Sequence, residues 1–99
     1  MRLAEIATAR SGDKGDTCNI AVFVQTEADW NHLARELTPA RVKAHFASLV
    51  QGEVHRYDLP QLRAFNFVCQ RALDGGATRS LRLDTLGKTL GAALLRMEL

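Results

Sequence analysis

The chain has 99 residues, is 46% hydrophobic and 24% charged, and carries a net charge of only +2. This is ordinary globular material for one domain with a single modest core, too apolar for a disordered chain. Its ten arginines are scattered without a block of like charges, which excludes the clustered footprint of a nucleic-acid binder.

No apolar run approaches the roughly 18 residues of a membrane span, and no secretory signal opens the chain, so a cytoplasmic protein is expected. Residues 2–10, RLAEIATAR, read as a first strand with Ile6 as its one large central apolar residue. Residues 17–24, TCNIAVFV, read as a stronger strand: Cys18, Ile20, Val22 and Val24 fall on one face and Thr17, Asn19, Ala21 and Phe23 on the other. Both faces turn apolar toward its end, which predicts a central strand covered on both sides, the second cover coming from another subunit. Between the two strands lies SGDKGD, residues 11–16, read as a six-residue connecting loop.

Trp30, Leu33, Ala34 and Leu37 have helical spacing within residues 27–37. Thr38-Pro39 restarts a helix that carries Val42, Phe46, Leu49 and Val50 and ends at Gln51-Gly52. EVHRYDL, residues 53–59, alternates as a strand. Pro60 is expected to open a helix with Leu62, Phe65, Val68, Cys69, Ala72 and Leu73 on one stripe, stopped by Asp74-Gly75-Gly76. TRSLRLD, residues 78–84, reads as a strand, and a last helix carries Leu86, Leu90, Ala93, Leu94 and Met97. The order ββααβαβα predicts an α/β (α+β) sandwich, with helices mainly on one face of a sheet of about four strands. A partly apolar face left over favours a homo-oligomer.

Candidate chemistry centres on SGDKGD. Asp13 and Asp16 suit hydroxyls or a hard cation, Arg10 and Lys14 suit an anion, and Gly12 and Gly15 let a backbone nest approach it. A self-satisfied turn accounts for the same residues. The loop lacks the alternating oxygens and the terminal glutamate of a calcium loop, and no Gly-x4-Gly-Lys-Ser/Thr occurs, so neither a metal nor a nucleotide cofactor is expected. Asn66 stands among apolar positions, where its amide needs an internal hydrogen bond, a contact that orients the loop, or a ligand. Arg82, Asp84 and Lys88 form a second polar cluster, in which Asp84 can cap a helix and Arg82 can meet an anion. Cys18 and Cys69 belong to no metal-spaced set and read as buried free thiols. No complete nucleophile–base pair is visible, so the question of enzyme activity stays open.

The blocks ARSGDKGDTCNI, RAFNFVCQRALDGG and SLRLDTLGK together resemble the small C-terminal domain of the acyclic terpene utilisation protein A (AtuA) family, over nearly the whole chain. RSGDKGD followed by Asn19 is the most specific part. That resemblance implies a ferredoxin-like fold and a place in the catabolism of branched or terpenoid acids as acyl-CoA thioesters. The matching positions are Arg10, Ser11, Gly12, Asp13, Lys14, Gly15, Asp16 and Asn19, then Asn66, Gly75, Gly76, Arg82, Asp84, Gly87 and Lys88. The family supplies no catalytic residue to transfer. The resulting expectation is an accessory or ligand-binding domain, in which an anionic, acyl-CoA-like molecule meets Arg10, Ser11, Gly12, Asp13, Lys14, Gly15, Asp16, Asn19, Asn66, Arg82, Asp84 and Lys88. Self-association and pairing with a large AtuA-like component are the expected partnerships. A small hydratase-, isomerase- or hydrolase-type enzyme with an aspartate base, or a purely structural oligomerisation module, is the alternative.

Overall fold

A computed structural model of the chain describes residues 1–47, 50–71 and 90–99. Four strands, β1 (Ala7–Lys14), β2 (Thr17–Val24), β3 (Val54–Leu59) and β4 (Ala64–Cys69), form one antiparallel sheet in the order β1-β2-β4-β3. Two helices, α1 (Glu27–Glu36) and α2 (Pro39–Phe46), lie between β2 and β3 in sequence. Both begin as the sequence signals require: the Thr26 and Thr38 hydroxyls accept hydrogen bonds from the Asp29 and Arg41 N–H groups, and Pro39 fills the first turn of α2. The result is an α+β, ferredoxin-like arrangement, as the resemblance implies. No helix among the described residues is long and apolar enough to cross a membrane.

β2 and β4 hold the centre of the sheet, and their inward residues build the core. Cys18, Ile20, Val22, Phe65, Phe67 and Cys69 are fully buried against Leu33 and Leu37 of the α1 segment and Val42 and Phe46 of α2. Trp30 stacks flat on Phe65, with ring centroids 5.0 Å apart, and its indole N–H donates to the Ala64 carbonyl. Helical residues 90–94 add Leu90 and Leu94 to the same core. The chain ends close on each other: the Leu3 and Ala4 N–H groups donate to the Met97 and Leu95 carbonyls, the Arg2 and Glu98 backbones form an isolated antiparallel β-bridge, and the Met1 ammonium pairs with the Glu98 carboxylate at 2.8 Å.

Several expectations need correction. The first strand is not residues 2–10: a 3-10 turn occupies Leu3–Glu5, and the strand runs from Ala7 through Lys14. SGDKGD is therefore not a six-residue loop. Ser11, Gly12, Asp13 and Lys14 pair in register with Ile20, Asn19, Cys18 and Thr17, leaving only Gly15-Asp16 as the turn. Gly15 has φ +62°, and glycine at the first central position is the mark of a type II′ hairpin, whose twist continues that of the strands. The second helix ends at Phe46 rather than at Gln51-Gly52, because Ala47 leaves helical geometry with φ 50°.

The expected helix after Pro60 is the largest departure. A single 3-10 turn, Pro60–Leu62, is stopped by Arg63 in the left-handed conformation, and residues 64–69 form β4. Phe65, Phe67 and Cys69 satisfy the period-2 pattern as well as the helical stripe does, and packing on both neighbouring strands decides in favour of the strand. β2 is central as expected; on the face away from the described helices Asn19 is exposed and Ala21 and Phe23 are half-buried. The expected strand at 78–84 and the start of the last helix lie outside the described residues.

Candidate functional site

Strand register sorts the motif residues onto two opposite faces. On the face toward the helices, rows run across the sheet as Ala9–Val22–Phe65–Asp58, Ser11–Ile20–Phe67–Arg56 and Asp13–Cys18–Cys69–Val54. On the other face the rows are Thr8–Phe23–Ala64–Leu59, Arg10–Ala21–Asn66–Tyr57 and Gly12–Asn19–Val68–His55, with Lys14–Thr17 at the hairpin end. Arg10, Gly12, Lys14, Asn19 and Asn66 therefore share the open face. Ser11 and Asp13 turn to the covered face, and Gly15 and Asp16 sit in the turn. Arg82, Asp84 and Lys88 lie outside the described residues.

Each motif residue on the covered face has a structural setting. The Ser11 hydroxyl accepts a 3.0 Å hydrogen bond from the Gly91 N–H, pinning the C-terminal helical segment to β1. A Cβ at Gly91 would stand 3.2 Å from that oxygen and 3.3 Å from the Ser11 nitrogen, so glycine permits the close approach. Asp13 is half-buried opposite Cys18, which itself pairs with Cys69 in the next strand. Burial pushes the Cys18 thiol up to about 12, with the neighbouring Cys69 and Asp13 adding to it, and pushes Cys69 up to about 11. Both are buried and outside any disulfide, so they stay neutral thiols and poor nucleophiles.

The open face has the opposite character. Arg10 and Lys14 are exposed and hold no hydrogen bond or ion pair among the described residues. Gly12 forms the floor beneath Asn19: a Cβ there would lie 3.5 Å from Asn19 Oδ1, an ordinary contact. Ala21 separates Arg10 from Asn66, so small side chains sit between the polar ones. The Asn66 Oδ1 atom is buried with no hydrogen-bond partner among the described residues. An unpaired buried acceptor costs about 1–3 kcal/mol relative to a paired one. At the β3 side the face becomes apolar: Tyr57 and Leu59 are 55% and 41% exposed, and Leu62 in the following turn is 66% exposed.

Two residues with clear roles escaped sequence reasoning. Tyr57 completes the row of Arg10 and Asn66, and only the alternation within EVHRYDL hints at its side. Arg56 reaches from the covered face to the end of α1, donating at 3.0 Å to both the Ala34 and Leu37 carbonyls. It also lies over the Phe65 ring at 5.2 Å and binds Asp58 through two contacts of 2.7 and 3.2 Å. Charge at a helix C-terminus and a planar cation on an aromatic face are both favourable, so Arg56 is structural. No sequence signal marks that role, because its partners are backbone carbonyls.

Among the described residues, no three His, Cys, Asp or Glu side chains gather to hold a metal ion. One sheet face carries two exposed cations, two amides and an aromatic–aliphatic edge.

A family model for the AtuA ferredoxin-like domain matches residues 1–99, the whole chain. No curated protein and no solved structure matches it.

Proposed function

The chain belongs to the AtuA ferredoxin-like domain family, and from that premise we propose that it is an accessory binding domain in the catabolism of acyclic terpenoid or other branched acids as acyl-CoA thioesters. It works by association, with a large AtuA-like component and with itself, rather than by its own turnover. The observation that supports this reading is the register of β1, β2 and β4. It gathers Arg10, Gly12, Lys14, Asn19 and Asn66 on a sheet face that the described helices leave open. The family's most specific motif thus contributes exposed polar groups to a surface instead of spending them all on a turn.

The enzyme reading draws less support. Asp13 faces the helices beside Cys18, whereas Arg10 and Lys14 stand on the other side of the sheet, so a base at Asp13 would be separated from the cations that would hold an anionic substrate. Both thiols are neutral and buried.

Incubating the purified chain with branched-chain acyl-CoA esters, with and without a divalent cation, tests the reading. The expected result is no turnover in either condition, together with co-elution of the chain and the large component after co-expression. Turnover abolished by Asp13→Asn would instead establish an aspartate-dependent enzyme.

A further inference from the structure

We propose that the open sheet face docks an acidic protein surface, with carboxylates meeting its β1 side and an apolar patch meeting its β3 side. The inference rests on the accessory-domain reading and names the chemistry of the partner that reading requires.

Charge is the first argument. Arg10 and Lys14 project from β1 with no partner among the described residues, and no residue in the four open-face rows is acidic, the Glu53 carboxylate reaching the face only at its β3 edge, beside His55. Two exposed cations at the β1 side, across the sheet from the Glu53–His55 pair at the β3 edge, favour a negatively charged occupant there, and they set its orientation and association rate. A second copy is a poor complement: two such faces apposed would bring four cations together, with Glu53, already 3.0 Å from His55 Nε2, as the carboxylate at each face's edge. Extent is the second argument. Tyr57 and Leu59 lie across the sheet from Arg10, three strand spacings or about 14 Å away. A small anion held at Arg10 and Lys14 would leave that apolar edge in water, whereas a protein surface covers both. Exposed tyrosine and arginine flanking a small-residue centre is also the composition that concentrates binding energy in protein interfaces. The face also holds Asn66, whose Oδ1 lies in the middle row between Ala21 and Tyr57 with no hydrogen-bond partner among the described residues.

The test is an NMR titration of the isotope-labelled full chain with three unlabelled probes: the large AtuA-like component, coenzyme A alone, and more of the chain itself. The expected result is that the large component shifts the resonances of Arg10, Asn19, Tyr57 and Asn66, with an affinity that falls as salt is raised. The double reversal Arg10→Glu/Lys14→Glu then weakens binding at least tenfold while its spectrum stays dispersed. Should that variant fail to fold, Arg10→Ala read at two salt concentrations serves, with a smaller loss and a shallower salt dependence. Shifts mapping to another surface, or binding indifferent to the charge reversal, overturn the proposal and leave the accessory reading standing. Absence of any binding to the large component overturns both. Shifts of the open face by coenzyme A alone, or by self-dilution alone, overturn the proposal in favour of a small anion or a second copy.

Discussion

The two faces of the sheet are made by the same four strands and differ in almost everything else. On the covered face, side chains at alternate positions of β2 and β4 are fully buried, and even its polar members are engaged, Ser11 with Gly91 and Arg56 with the end of α1. On the open face, Arg10, Lys14 and the Asn66 oxygen have no partner among the described residues. A strand thus carries two independent patterns at period 2, one packed into the core and one presented on the other face. RSGDKGD interleaves them, and a contiguous motif in sequence becomes two sites in space.

Substitutions can break that division, and the covered face should respond most strongly. Phe67→Ala deletes a fully buried ring between Ile20 and Arg56 and should cost about 3–5 kcal/mol in urea unfolding. If the loss is under 1 kcal/mol, the core is not where the rows place it. Gly52→Ala comes next. Its Cβ would stand 2.5 Å from the Gln70 carbonyl oxygen, a backbone atom that must shift, so a loss of about 1–3 kcal/mol is expected by the same measurement.

The thiol pair gives a pH-dependent effect on the same face. Both folded values, about 12 and about 11, lie above the usual thiol range near 8.5. Their contribution is therefore fully present below about pH 8.5 and is lost as pH rises toward 11–12, since the unfolded chain gives up these protons first. Thermal unfolding should show a melting temperature that falls through this alkaline range, and a Cys18→Ala/Cys69→Ala variant should fall less. Iodoacetamide should label neither thiol in the folded chain at pH 8 and both in urea.

The smallest stability effect belongs to the open face. Asn66→Leu removes an amide whose oxygen is buried and unpaired, so its unfolding free energy should match the parent's within about 0.5 kcal/mol or exceed it. A loss above 2 kcal/mol would mean that the amide has an internal partner holding β4.

How far the sequence foretells this structure depends on how local the deciding signal is. β2, α1 and the start of α2 are legible because alternation, helical spacing and the threonine caps act within a few residues. β4 is not, because Phe65, Phe67 and Cys69 fit both periods and only the pairing with β2 and β3 chooses between them. The hairpin is half legible: its glycines announce a turn, but whether the turn spans two residues or six is settled by how far the register with β2 continues. As for the site, Arg10, Lys14, Asn19 and Asn66 are named by the sequence, yet their common face, and the exclusion of Ser11 and Asp13 from it, follows only from that register.

The division of labour between the faces is tested most directly by equilibrium urea unfolding of the triple variant Arg10→Ala/Lys14→Ala/Asn19→Ala. The account predicts a transition midpoint and slope like the parent's, a difference below about 0.5 kcal/mol, because these side chains leave the core untouched. A loss of several kcal/mol would contradict it, by showing that the motif's open-face residues hold the fold together.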